Sequence, residues 1–157
     1  MSTSATPVAA AETAVEHVAV RGHADGFLQE ITAGKYQFKA DEPVSVGGRE
    51  SAPDPYDYLL AALGACTSMT IGWYAREKKI PLEDVTVSLR HSRIHAKDCE
   101  ECETKSGRLD RIDLDVRLAG ALTPEQHAKL MEVAAKCPVH RTLKSEIEIR
   151  LRDAQPG

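Results

Sequence analysis

From Tyr58 to Tyr74 the chain carries no charged side chain, although 28% of its residues are charged. The run is framed as a helix. Asp54 stands as an N-cap before Pro55 at the first helical position, and Asp57 places negative charge in the first turn. Lys78 and Lys79 suit the negative C-terminal end. Ile80-Pro81 then stops the helix, because a residue before proline is pushed out of the α region. A helix that is apolar all round is normally buried on every side, so the sequence predicts a central helix in the middle of the core. It falls short of the ~20 apolar residues of a membrane span and contains Gly64, Thr67, Ser68, Thr70 and Gly72. The thiol of Cys66 sits at its midpoint.

The rest of the chain supplies material to surround that helix. Residues 1–13 are small, low in complexity and without period, and read as a disordered arm; residues 14–153 read as a single domain. Val15, Val18 and Val20 open a β-rich region. Phe27, Gln29 and Ile31 alternate with their neighbours, Ala33-Gly34 marks a turn, and Tyr36, Phe38 and Ala40 alternate again, giving a hairpin or a three-stranded meander. Residues 41–54 read as a loop delivering the chain to the helix. Beyond it, Val85, Val87 and Leu89 line one face of a strand, and Ile112, Leu114, Val116 and Leu118 line one face of another. Thr123-Pro124-Glu125-Gln126 is a capping box that starts a second helix. Pro138 breaks that helix and can begin a new turn with Cys137 at its N-cap. Ile147, Ile149 and Leu151 read as a last strand. The predicted class is α+β, in the order βββ-α-ββ-α-β, with antiparallel pairing.

Charge and cysteine usage narrow the chemistry. A net charge of −4 gives no electrostatic reason for nucleic acid or an anionic membrane as partner. The N-terminus lacks the basic start and apolar core of a secretory signal, so a reducing cytoplasm is expected. Four cysteines in that compartment read as reactive or metal-binding thiols rather than a disulfide framework. Cys66 has no local cation and lies about three turns inside its helix; it packs as a small hydrophobe or acts as a nucleophile activated from elsewhere in the fold. Cys137, at a predicted helix start with His140 and Arg141 within one turn, is locally the better candidate for an activated thiol, with a buried cap residue as the alternative. His91, His95, Cys99 and Cys102 form a second constellation, in which zinc binding competes with cross-strand packing and a solvated loop tip.

The two cysteine motifs carry a resemblance. Asp54–Thr70 (DPYDYLLAALGACTSMT) and Cys137–Leu143 (CPVHRTL) resemble the OsmC-like family of osmotically inducible and organic hydroperoxide resistance proteins. The resemblance implies an intertwined homodimer with sheets wrapped around two long central helices, and a thiol peroxidase. It places Cys66 at the peroxidatic and Cys137 at the resolving position, reversing the local ranking. No bound cofactor is implied; the oxidised pair is reset by an external dithiol, of lipoyl type in relatives. Hydroperoxidases of the family carry a Glu ahead of the helix that holds an activating Arg against the thiolate. Here Tyr56 stands at that position, leaving Asp57 or Glu50 as the acid and Arg49 or Arg21 as the cation. Leu63, Met69 and Ile71 are expected to line the pocket for the organic substrate. The cysteine loop at 99–102 is expected to be dispensable for the helix thiols. A dimeric module holding a hydrophobic ligand without turnover, and a zinc- or redox-sensing protein using Cys99 and Cys102, are the competing readings.

Overall fold

The computed structural model describes residues 18–155, so the predicted arm and Val15 lie outside the described residues. Two compact units are present, one ending at Pro55 and the other beginning at Tyr56.

The first unit is an antiparallel meander of β1 (Val18–Gly22), β2 (Gln29–Ala33) and β3 (Tyr36–Ala40). Val20 pairs with Ile31, and Ile31 with Phe38, so the predicted alternation sets the register. Ala33 pairs with Tyr36 across a two-residue turn whose first member, Gly34, has φ +58°, as a type II′ hairpin requires. The following loop is held by one buried carboxylate. Asp41 accepts hydrogen bonds from the amides of Glu42 (2.8 Å), Arg49 (3.3 Å) and Ser51 (3.1 Å) and from the Ser51 hydroxyl (2.6 Å). The Ser51 bonds, with those of the other two amides, hold its pKa down at about 2. A 3-10 turn over Val44–Val46 lies inside this loop, and Glu50 closes it at φ +54°, its amide bonded to the Glu42 carbonyl.

Helix α1 (Pro55–Glu77) starts at the predicted proline and, from Tyr56 on, belongs to the second unit. Its end is a Schellman turn: the Ile80 amide reaches the Ala75 carbonyl and the Lys79 amide the Arg76 carbonyl, with Lys79 left-handed at φ +53°. That position normally takes glycine. Lys79→Gly is therefore expected to stabilise the unit by about 1 kcal/mol, seen as a higher urea midpoint at unchanged slope. A lower midpoint would show that the lysine side chain contributes more than the left-handed backbone costs.

Strands β4 (Leu82–His95) and β5 (Arg108–Gly120) form a long antiparallel ribbon, with Val85, Val87 and Leu89 opposite Leu118, Val116 and Leu114. Helix α2 (Pro124–Ala134) starts at the predicted capping box: the Gln126 amide bonds the Thr123 hydroxyl and the Gln126 side chain returns to the Thr123 amide. Ile71 and Ala75 of α1 meet Leu130 and Ala134 of α2, with Val85, Val116 and Leu118 of the ribbon packed against them. Gly64 lets α1 approach the ribbon; a Cβ there would stand 2.6 Å from Leu89 Cδ1. Helix α3 (Pro138–Lys144) follows, capped by Cys137 as the sequence predicts.

Two expectations are corrected. Within the chain α1 is not buried all round: Leu63, Gly64, Thr67, Ile71 and Ala75 form one buried stripe, while Met69 is 71% and Trp73 57% exposed. The absence of charge marks faces meant for burial without saying which chain covers them. The last strand is also absent. Ile147, Ile149 and Leu151 alternate in a segment that pairs with no strand among the described residues and is exposed to solvent. No helix among the described residues is long and apolar enough to cross a membrane.

Candidate active site

Two helices of the second unit bring two thiols together. Cys66 rides at mid-length on α1, on the side next to the buried stripe, and is half-buried. Cys137 caps α3 and is fully buried. The proline after Cys137 ends α2 and starts α3 within a few residues, so the sulfur faces the first amides of a new helix. The His140 amide donates to Cys137 Sγ at 3.3 Å. The Thr67 hydroxyl oxygen lies 3.6 Å from the same sulfur and 2.8 Å from the Leu63 carbonyl, and its single hydrogen can be given to one of the two at a time. Burial pushes the Cys137 thiol up, but the His140 amide, the Thr67 hydroxyl, the Cys66 thiol and the Val139 amide all donate to its sulfur and bring it below the ordinary cysteine value. Cys66 and Cys137 are both free thiols, and Thr67, next to Cys66 on α1, reaches Cys137 Sγ through its hydroxyl.

Their access differs. Cys66 opens on a groove of about 560 Å³ lined by Ala62, Ala65, Met69, Trp73 and Lys136. Of the three residues expected to form an apolar pocket, only Met69 lies there; Ile71 is core and Leu63 lines a different groove. Lys136 is a cation the sequence reading missed. It pairs with Glu132 at 2.5 Å, and Lys136 and Lys129 together hold that carboxylate down at about 2. Thr67 was missed as well. Both stand next to a cysteine in sequence, which is the signal that could have found them.

The remaining predicted residues divide between the units. Arg21 and Arg49 line a cavity of about 370 Å³ in the first unit together with Asp41, and Glu50 lies in the same loop. Asp57 sits in the first turn of α1. Tyr56 stacks on His91, ring centroids 4.5 Å apart, and His91 Nε2 lies 2.9 Å from Asp110. His95 is exposed at the end of β4, so the two histidines differ in burial. Cys99 and Cys102 are joined in a disulfide, which removes both thiolates from any zinc set. No cluster of three or more metal-ligating side chains occurs among the described residues.

The family model for "OsmC-like protein" matches residues 48–152, spanning both cysteine motifs. The chain belongs to the OsmC-like family. No curated protein matches it by sequence. Solved structures share the OsmC-like fold at low identity. One is an osmotic stress induced and detoxification response protein from Psychrobacter arcticus, with a TM-score of 0.66, 18% identity, 84% of this chain and 90% of that one covered. Another is an organic hydroperoxide resistance protein OsmC from Legionella pneumophila, at 0.59 and 23%, covering 81% and 87%. A third, the organic hydroperoxide resistance protein OhrB of Bacillus subtilis, aligns at 0.56 and 22%, covering 81% and 88%.

Proposed function

We propose that this OsmC-like protein is a cytoplasmic, homodimeric thiol peroxidase that reduces organic hydroperoxides in oxidative-stress defence. The observation that carries the reading is the pairing of an accessible thiol with a buried, hydrogen-bonded one: Cys66 on an apolar groove, Cys137 behind it. Two solved relatives bearing the name organic hydroperoxide resistance protein support the same reaction class.

In this scheme the Cys66 thiolate attacks the terminal oxygen of the hydroperoxide. The O–O bond breaks, an alcohol leaves with a proton, and Cys66 becomes a sulfenic acid. Cys137 then attacks Cys66 Sγ and expels water, closing a disulfide. An external dithiol, lipoyl-like in character, returns both thiols. Arg49 and Arg21 are the cations proposed to favour the attacking thiolate, with Asp57 or Glu50 as the orienting acid.

An apolar groove favours an apolar tail. Each buried methylene contributes about 0.8 kcal/mol, so a four-carbon hydroperoxide is expected to exceed hydrogen peroxide by ~100-fold in kcat/KM. A dithiol-coupled consumption assay with both oxidants tests this. Equal rates would detach the groove from catalysis. No consumption of either would leave the groove as the binding site of a non-catalytic module.

A further inference from the structure

The Cys99–Cys102 disulfide is not needed to hold its surroundings. It lies in the connection after β4, whose ladder with β5 already runs out to the His95–Arg108 pair. The base of the connection is fixed separately, by fully buried Ala96 and its amide bond to the Gly107 carbonyl. A cross-link between cysteines three positions apart closes so short a loop that it restricts the unfolded chain very little. Its spacing is that of exchange-active pairs, and both sulfur-bearing residues are only half-buried.

Its position gives it a second property. Cys99 and Cys102 form one side of a groove of about 580 Å³ whose other side includes Leu63, His140 and Leu143. Two of those residues belong to the hydrogen bonds around Cys137. The His140 amide is bonded to Cys137 Sγ, and the Leu63 carbonyl holds the Thr67 hydroxyl that reaches the same sulfur. Helix α3 lends His140 and Leu143 to the groove and is capped by Cys137; it has 7 residues and no buried side chain of its own, which makes it one of the less costly elements to displace.

Building on the peroxidase reading, we infer that Cys99 and Cys102 are a dithiol–disulfide relay that passes reducing equivalents to the Cys66–Cys137 pair. In the reduced relay one thiolate attacks a sulfur of the Cys66–Cys137 disulfide, giving a mixed disulfide and releasing the other active-site thiolate. The second relay thiol attacks the mixed disulfide. Two electrons and two protons pass to Cys66 and Cys137, and Cys99–Cys102 is left as the disulfide seen here. An external dithiol, entering by the open groove, reduces it again and leaves as its own disulfide. This reverses the expectation that the loop is dispensable.

The test is a stoichiometry. Fully reduced, desalted protein is treated anaerobically with cumene hydroperoxide and no reductant, quenched in acid, alkylated and mapped by mass spectrometry. Four thiols acting in series consume two equivalents per chain. At less than one equivalent the disulfide is expected at Cys99–Cys102, with Cys66 and Cys137 recovered as thiols. The C99S/C102S variant is expected to stop at one equivalent with Cys66 and Cys137 joined; the mapping of the parent protein decides the matter even where that variant folds poorly. Consumption of a single equivalent with Cys99 and Cys102 still reduced overturns the relay and leaves the peroxidase standing. So does a second equivalent recovered as two added oxygens on Cys66. Consumption of none overturns the peroxidase and the relay with it.

Discussion

Cys66→Ser is expected to abolish organic hydroperoxide consumption, by ~10⁴-fold or more, because no other accessible thiol begins the chemistry at that groove. Cys137→Ser is expected to behave differently. Cys66 still attacks, one equivalent of alcohol is released, and a sulfenic acid remains that a dimedone-type reagent captures. Turnover then halts for want of a resolving partner. The asymmetry follows from access: a hydroperoxide reaches the half-exposed sulfur at once and the fully buried one only after rearrangement. Two further variants probe charge. Arg49→Ala and Arg21→Ala are expected to slow the first step, since the cation proposed to favour the attacking thiolate is then lost. The mirror-image result, a dead Cys137→Ser with a trapped sulfenic acid in Cys66→Ser, would give the attack to the helix-cap cysteine.

Trp73→Asp is expected to prevent assembly. In the proposed homodimer the uncovered face of α1, with Met69 and Trp73 prominent on it, lies against a second copy. Removing the indole forfeits about 3 kcal/mol of burial, and an unpaired carboxylate adds a desolvation cost of several kcal/mol more. A loss of ~5 kcal/mol weakens association by three to four powers of ten. Light scattering is expected to give twice the chain mass for the parent at low micromolar concentration and a monomer or a misfolded chain for the variant. Deleting everything after Ser145 is expected to act in the same direction, because the alternating Ile147, Ile149 and Leu151 then lose the strand edge a second copy would offer. A compact, folded parent monomer would refute the dimer.

These cases separate what local sequence determines from what it does not. The start of α1, the capping box at Thr123, the alternating faces of the ribbon strands and the helix break at Cys137-Pro138 are set by residues within one turn or by strict alternation, and all were legible. The covering of α1 and the fate of the C-terminal segment are fixed by no local signal; in the proposed homodimer a second copy supplies both surfaces. Apolar residues announce burial but carry no address. At the site, the two cysteines were legible as motifs; their contact was not, because it is made by α1 and α3, 71 positions apart at Cys66 and Cys137. The Cys99–Cys102 disulfide was misread for a related reason. Its spacing suits zinc and sulfur–sulfur bonding equally, and only the lack of a second ligand pair in space separates them.

Thr67 has one hydroxyl hydrogen and two atoms within its reach. With Cys137 protonated the two demands agree: the hydroxyl gives its hydrogen to the Leu63 carbonyl, and its oxygen remains free to receive the S–H. With Cys137 ionised they conflict, and the negative sulfur draws the hydrogen away from the carbonyl. Closing the proposed Cys66–Cys137 disulfide would cancel that charge and send the hydrogen back. In the proposed peroxidase cycle each turnover would therefore swing one hydrogen between oxygen and sulfur, and the central helix would register it as the gain or loss of a bond at Leu63.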